Sequence, residues 1–122
     1  MDQKVKEKIE RIISGRKEAH DFLVNKKSKV YQSFLELEKN TFKDNSLSKM
    51  QKELIALGIS VIINCESCME WHINEALNSG ASEDQIIEAL EVAIEMGGGP
   101  ATVSSRFAIK VLDYNKNKSR IF

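Results

Sequence analysis

The sequence predicts an all-α fold of five to seven helices, and three observations carry that expectation. Apolar residues recur at steps of three and four along most of the chain. Alternation of the strand kind is almost absent. Two Ser-x-x-Gln boxes, Ser48 to Gln51 and Ser82 to Gln85, stand where helices should begin. At 122 residues the chain has the length of one ordinary domain, so a single domain over 1–122 is expected.

Each element follows from local pattern. Val5, Ile9, Ile12 and Ile13 form a first stripe, which Gly15 weakens or bends. Ala19, Phe22 and Leu23 continue the spacing beyond it. Asn25-Lys26-Lys27-Ser28 marks a break, with Ser28 as cap of the next helix. That helix is expected to turn Val30, Phe34 and Leu37 inward and to stop near Asp44-Asn45. The Ser48 box opens a helix to about Ile63, with Met50, Leu54, Leu57, Val61 and Ile62 along one side. Its apolar residues spread over more than one face, which marks it as the central, most buried helix.

Asn64 interrupts the pattern, so Cys65 and Cys68 fall at the N-terminal turn of the following helix. That helix ends at Asn78-Ser79-Gly80, where a glycine past the last turn is the usual stop. The Ser82 box carries acids suited to the positive end of a helix dipole, and Ile86, Leu90, Ala93 and Ile94 follow as an apolar face. Gly97-Gly98-Gly99-Pro100 ends this helix and starts the last one, with Pro100 suited to a first helical position. Val103, Phe107, Val111 and Leu112 are expected to face inward. The polar tail from Asn115 to Arg120 is expected to fray.

Composition narrows the function classes. Eighteen basic residues balance eighteen acidic ones, so no field of one sign points to nucleic acid or an anionic membrane. No apolar run is long enough to span a bilayer, and the charged N-terminus lacks the apolar region of a secretory signal. A cytoplasmic location is the default expectation. The glycine run at 97–99 matches neither a Walker nor a dinucleotide pattern, so no cofactor is expected.

The chemistry concentrates in Cys65-Glu66-Ser67-Cys68-Met69-Glu70-Trp71-His72, which holds both cysteines of the chain. On a helix, Cys65, Cys68 and His72 share one face with Met69, Ile73 and Ala76. A dithiol beside an imidazole can form a disulfide, hold a metal or attack an electrophile. Thiols in a first turn feel the helix dipole, which favours the thiolate. His72 lies one turn beyond Cys68, within reach of its proton. Cys65 lies one turn before it, close enough to close a disulfide. Packed core cysteines are the bland alternative. A zinc site needs four ligands, and the only other histidine, His20, is far off in sequence. No metal is therefore expected within one subunit, while a site shared between subunits stays open. The missing strands argue against a thioredoxin context. Trp71 reads as a packing or interface residue. Glu53 lies beside the buried stripe of the preceding helix, and periodicity alone makes it a solvated surface acid.

Glu53-Leu54-Ile55-Ala56-Leu57, then Cys65-x-x-Cys68-x-x-x-His72, then Glu75-Ala76-x-x-x-Gly80-Ala81-Ser82-x-x-x-Ile86-x-Glu88-Ala89 together resemble the carboxymuconolactone decarboxylase family. Within it the likeness is closer to the AhpD-like alkylhydroperoxidase branch, over about residues 47–112. The resemblance implies an AhpD-like helical fold assembled through intertwined dimers into a homo-oligomer, a trimer or hexamer. It implies that Cys68 attacks a hydroperoxide substrate and passes through a sulfenic acid, with Cys65 its proton donor and disulfide partner. Glu53 and His72 match the family's proton relay, and an external dithiol or protein reductant reopens the disulfide. The alternatives are a redox carrier for a peroxiredoxin partner and a decarboxylase-like lyase. One departure stands out: well-known members of this branch carry a histidine immediately before the second cysteine, where this chain has Ser67.

Overall fold

A computed structural model describes residues 1–119. Among them six helices follow one another without a strand: α1 (Gln3–Asn25), α2 (Lys29–Thr41), α3 (Lys49–Ile62), α4 (Glu66–Asn78), α5 (Glu83–Gly97) and α6 (Gly99–Ser119). The all-α expectation holds. None of the described helices is long and apolar enough to cross a membrane.

The start and stop signals act as their chemistry requires. Ser48 and Ser82 each accept from the backbone N–H three residues on, and Gln51 and Gln85 return the bond to the cap. Ser28 caps α2 by accepting from the Tyr31 N–H. Three helices end in the same way. Lys27, Asn64 and Gly80 have positive φ, of 57°, 54° and 99°. At each, the next residue's N–H reaches back to a carbonyl five residues earlier: Ser28 to Leu23, Cys65 to Ser60 and Ala81 to Ala76. Asparagine tolerates this left-handed conformation, so Asn64 turns the chain without a glycine.

α3 and α4 form an antiparallel hairpin, against which α5 and α6 pack. Leu57 and Val61 of α3 meet Met69 and Ile73 of α4, Ile86 of α5 and Val111 of α6, all fully buried. α1 joins this core through Ile9, fully buried, with Val5 and Ile13 beside it. Gly97 marks a close approach, since an added Cβ would come within 2.6 Å of Ile62 Cδ1 and 2.7 Å of Ala101 Cβ.

The stripe that continues beyond Gly15 belongs to the same helix, α1, which runs unbroken from Gln3 to Asn25. Several expectations are corrected. α2 ends at Thr41, short of Asp44. Val30, Phe34 and Leu37 are exposed, as is Phe22, because α2 packs against α1 alone and buries none of its residues. Amphipathic spacing identified an apolar face but not whether this chain covers it. α3 is central, yet Ile55, Ile59 and Ile62 lie about half exposed along its outer side. Val103 also faces outward, and Ala101, Ser105 and Ala108 take the inner positions of α6. Pro100 is the second helical residue rather than the first. The expected frayed tail is helical to Ser119: Asn115 is buried, and its Nδ2 donates to the Val111 carbonyl. Arg120 lies outside the described residues.

Candidate active site

The turn between α3 and α4 places the cysteines. The Cys65 N–H completes the end of α3 by donating to Ser60 O at 2.9 Å. The Cys65 carbonyl accepts from Met69 N at 3.0 Å, and its Sγ accepts from Cys68 N at 3.2 Å. Cys65 is therefore both the residue that closes one helix and the N-cap of the next. Cys65 and Cys68 are joined as a disulfide, with Cα atoms 5.2 Å apart. Their sulfurs sit where the free N–H groups of α4 concentrate partial positive charge.

One turn further on, His72 Nδ1 lies 2.7 Å from Glu53 Oε1. The other carboxylate oxygen, Oε2, accepts from Lys49 Nζ at 3.0 Å. Lys49 also contacts Glu75 at 3.3 Å and Ser79 Oγ at 3.5 Å. The Phe42 ring stacks on the imidazole, with centroids 5.6 Å apart. Glu53 is only 2% exposed, which overturns the solvated-acid reading from periodicity. The antiparallel hairpin turns it under α4, a placement that the α3 stripe alone does not encode.

Burial pushes the Glu53 carboxyl up. Hydrogen bonds from His72 and Lys49, with their charges, outweigh burial and hold its pKa below the usual value of 4.5. Burial likewise opposes the Lys49 ammonium. Its bond to Glu53 and the charges of Glu53 and Glu75 raise it above 10.5 nonetheless. At neutral pH the site therefore holds a carboxylate behind His72. With Nδ1 committed to that carboxylate, Nε2 is the nitrogen left for proton exchange. The carboxylate also stabilises an imidazolium once it forms.

The N-terminal helices complete the site. Cys68 and His72 line a pocket of about 610 Å³ whose other wall comes from α1 and α2, with Ile13, Phe34, Leu35 and Trp71 as its apolar lining. Arg16 crosses from α1 to the first turn of α4. Its Nη2 donates to Ser67 O at 3.0 Å and Ser67 Oγ at 3.2 Å, and its Nη1 lies 2.7 Å from Glu70 Oε1. Glu70 is nearly fully buried, and this contact is an ion pair without hydrogen-bond alignment. The Arg16 guanidinium also lies 5.1 Å from the centroid of the Trp71 ring, consistent with a packing role for Trp71. His20 reaches the same pocket, with Nδ1 2.6 Å from the Tyr31 hydroxyl.

The structure thus brings Cys65, Cys68, His72 and Glu53 together. Sequence reasoning missed Lys49, Arg16, Glu70, Phe42 and the His20–Tyr31 pair. Lys49 was detectable in principle, standing four residues before Glu53 on one helix face. Arg16 and His20 carry no local signal, since only packing of α1 brings them to α4. Among the described residues, no cluster of three or more His, Cys, Asp or Glu side chains is arranged to hold a metal ion.

The helical architecture agrees with the comparisons to known proteins. The chain belongs to the carboxymuconolactone decarboxylase family, which matches it over residues 28–110. It is 41% identical over 81 residues to uncharacterized protein 4 in the cox locus of Paracoccus denitrificans, covering 66% of this chain and 73% of that one. It is 34% identical over 70 residues to alkyl hydroperoxide reductase AhpD of Anaeromyxobacter dehalogenans, covering half of this chain but 38% of that protein. A carboxymuconolactone decarboxylase family protein of Legionella pneumophila superposes with a TM-score of 0.83 at 25% identity, covering 88% of this chain and 96% of that one. A Thermotoga maritima protein of the same family shares the fold, with a TM-score of 0.81 at 24% identity over 90% of this chain and 93% of its own.

Proposed function

We propose that this chain is a thiol-dependent peroxidase that reduces hydroperoxides through the Cys65–Cys68 couple. The observation that carries the reading is the shared pocket of Cys68 and His72, with His72 held at 2.7 Å by the buried Glu53 carboxylate. The AhpD-named relatives support the same class of reaction.

In the reduced protein, His72 takes the Cys68 proton and the helix N-terminus stabilises the thiolate. The thiolate attacks the terminal oxygen of the hydroperoxide. The O–O bond breaks, leaving a Cys68 sulfenic acid and an alkoxide that is released as the alcohol. The Cys65 sulfur then attacks Cys68 and expels hydroxide, which is protonated to water. Two electrons pass from the dithiol to the peroxide. An external dithiol or a protein reductant restores both thiols by exchange.

The test is the intact mass of reduced protein after stoichiometric hydroperoxide, followed by thiol blocking. A loss of about two daltons with both thiols protected is expected, from removal of two hydrogens on disulfide formation. Two blockable thiols after treatment would sink the peroxidase reading. Oxidation that runs with a disulfide-bearing protein as electron acceptor but not with hydroperoxide would favour the redox-carrier alternative.

The protein is also proposed to act as a homo-oligomer, a trimer or hexamer. Ile55, Ile59 and Ile62 of α3 and Val92 and Met96 of α5 form a continuous exposed apolar face around a groove of about 790 Å³. Such a face on a lone chain invites association. Light scattering should give a mass several times 13.8 kDa. The double change Ile59→Asp with Val92→Asp should lower it, and a wild-type protein that runs as a monomer would refute the proposal.

A further inference from the structure

We propose that Tyr31, backed by His20, is the proton donor to the leaving oxygen of the hydroperoxide. This assignment rests on the peroxidase reading and deepens it. The starting point is the second proton transfer in that site. His72 and Glu53 are arranged to accept the Cys68 proton, and breaking the O–O bond releases an alkoxide that a separate donor in the pocket can protonate as it forms. Ser67 lines the same pocket, but its Oγ is engaged by Arg16 at 3.2 Å and its hydroxyl is too weak an acid to serve.

The opposite wall of the pocket carries a pair suited to the task. The Tyr31 hydroxyl and His20 Nδ1 are 2.6 Å apart, and both residues line the pocket that holds Cys68 and His72. Both are half-buried and come from helices outside the α3–α4 hairpin. With Nδ1–H of His20 donating to the phenol oxygen, the phenol hydrogen is free to face the pocket. Phe34 and Leu35 on α2 offer an apolar seat for the alkyl group beside it. The charged groups nearby are already occupied: Lys17 pairs with Asp21 at 2.8 Å, and Arg16 with Glu70 and Ser67. Glu38 of α2 also lines this wall.

The step balances. The Cys68 thiolate bonds to the terminal oxygen as the O–O bond breaks. The departing alkoxide takes the Tyr31 hydrogen while the His20 Nδ1–H holds the phenolate oxygen; His72 releases the Cys68 proton to solvent, and Tyr31 regains one from it. The products are Cys68 sulfenic acid and the alcohol, with His72 neutral and Tyr31 protonated again. Sulfur is oxidised by two electrons and the peroxide reduced by two. Cys65 keeps the task of closing the disulfide. In this scheme Tyr31 is the catalytic residue and His20 a positioning one.

The experiment compares two oxidants whose leaving groups differ in need for a proton. tert-Butyl hydroperoxide releases an alkoxide, whereas peracetic acid releases acetate, which needs none at neutral pH. Oxidation of the pre-reduced full-length protein is quenched with a thiol-blocking reagent and followed by mass, for wild type, Tyr31→Phe and His20→Gln. Tyr31→Phe should slow the tert-butyl hydroperoxide reaction by about tenfold or more, the low side of general-acid effects, and the peracetic acid reaction by less than about twofold. His20→Gln should show the same selectivity with a smaller loss, and it carries the test if the phenylalanine variant misfolds. Equal slowing with both oxidants, as a merely structural hairpin bond would give, overturns the assignment. So does no slowing with either, and in both cases the peroxidase reading survives. Wild-type protein inert to both oxidants would remove the peroxidase reading itself.

Discussion

Cys68→Ser should abolish hydroperoxide-driven oxidation, with a rate loss of at least about a thousandfold, since removing a nucleophile leaves no covalent route. The neighbouring change, Cys65→Ser, should behave differently. It should still react once with hydroperoxide and then stop at a Cys68 sulfenic acid, because no second thiol is present to resolve it. Mass measurement after a sulfenic-acid trap separates the two: one adduct for Cys65→Ser and none for Cys68→Ser. The reverse pattern would exchange the roles of the two thiols. The assignment favours Cys68 because it shares the pocket with His72, while Cys65 is tied by its backbone and sulfur into the turn between α3 and α4.

Glu53→Gln should slow Cys68 oxidation by on the order of a hundredfold, at the low end of general acid–base effects. Glutamine can still accept from His72 at 2.7 Å, so the ring stays placed, but the charge that supports the imidazolium is gone. A kinetic loss without a change in the peroxide's apparent binding is the expected signature, and an unchanged rate would remove Glu53 from the relay. Stability should fall as well, because Lys49 loses its closest counter-charge. The cost is about 1–3 kcal/mol, less than the penalty for breaking a fully buried pair, because Lys49 keeps 37% of its surface in solvent and retains Glu75.

The same substitution carries a pH signature. The folded Glu53 pKa lies below the unfolded value near 4.5, so its stabilisation is fully present above that value. It is lost as pH falls through the depressed folded pKa. The Lys49 contribution has the opposite sense: present below its unfolded value near 10.5 and lost as pH rises through its raised folded pKa. Denaturant melts across pH should show Glu53→Gln with a shallower acid limb than wild type. Parallel curves would contradict the pairing.

Most of the α3 to α5 framework was legible in sequence because its signals are local. Ser48, Gln51, Ser82 and Gln85 bond within one turn, and Asn64 and Gly80 stop helices by their own backbone preferences. Helical spacing alone put Cys65, Cys68 and His72 on one face; in the structure Cys68 and His72 line one pocket, and Cys65 at the α4 cap is bonded to Cys68. Glu53 needed more. Periodicity made it a surface acid, and only the family resemblance moved it toward the site, where the hairpin buries it. The opposite error occurred on α2, where Val30, Phe34 and Leu37 were expected in a core they do not enter. A moment of apolar residues says which side of a helix avoids water, not which surface will cover it.

By itself, then, the sequence determined the helices, their caps and turns, and a dithiol one turn from a histidine at a helix N-terminus. Those features depend on contacts within about five residues, where backbone geometry leaves few alternatives. The tertiary structure alone decided that Lys49 and His72 share one buried carboxylate, that Arg16 clamps the first turn of α4, and that His20 and Tyr31 line one pocket with Cys68. Arg16 is 51 residues from Ser67, and no periodic pattern encodes a meeting at that separation. It depends on how α1, seated by Ile9, docks against the finished core.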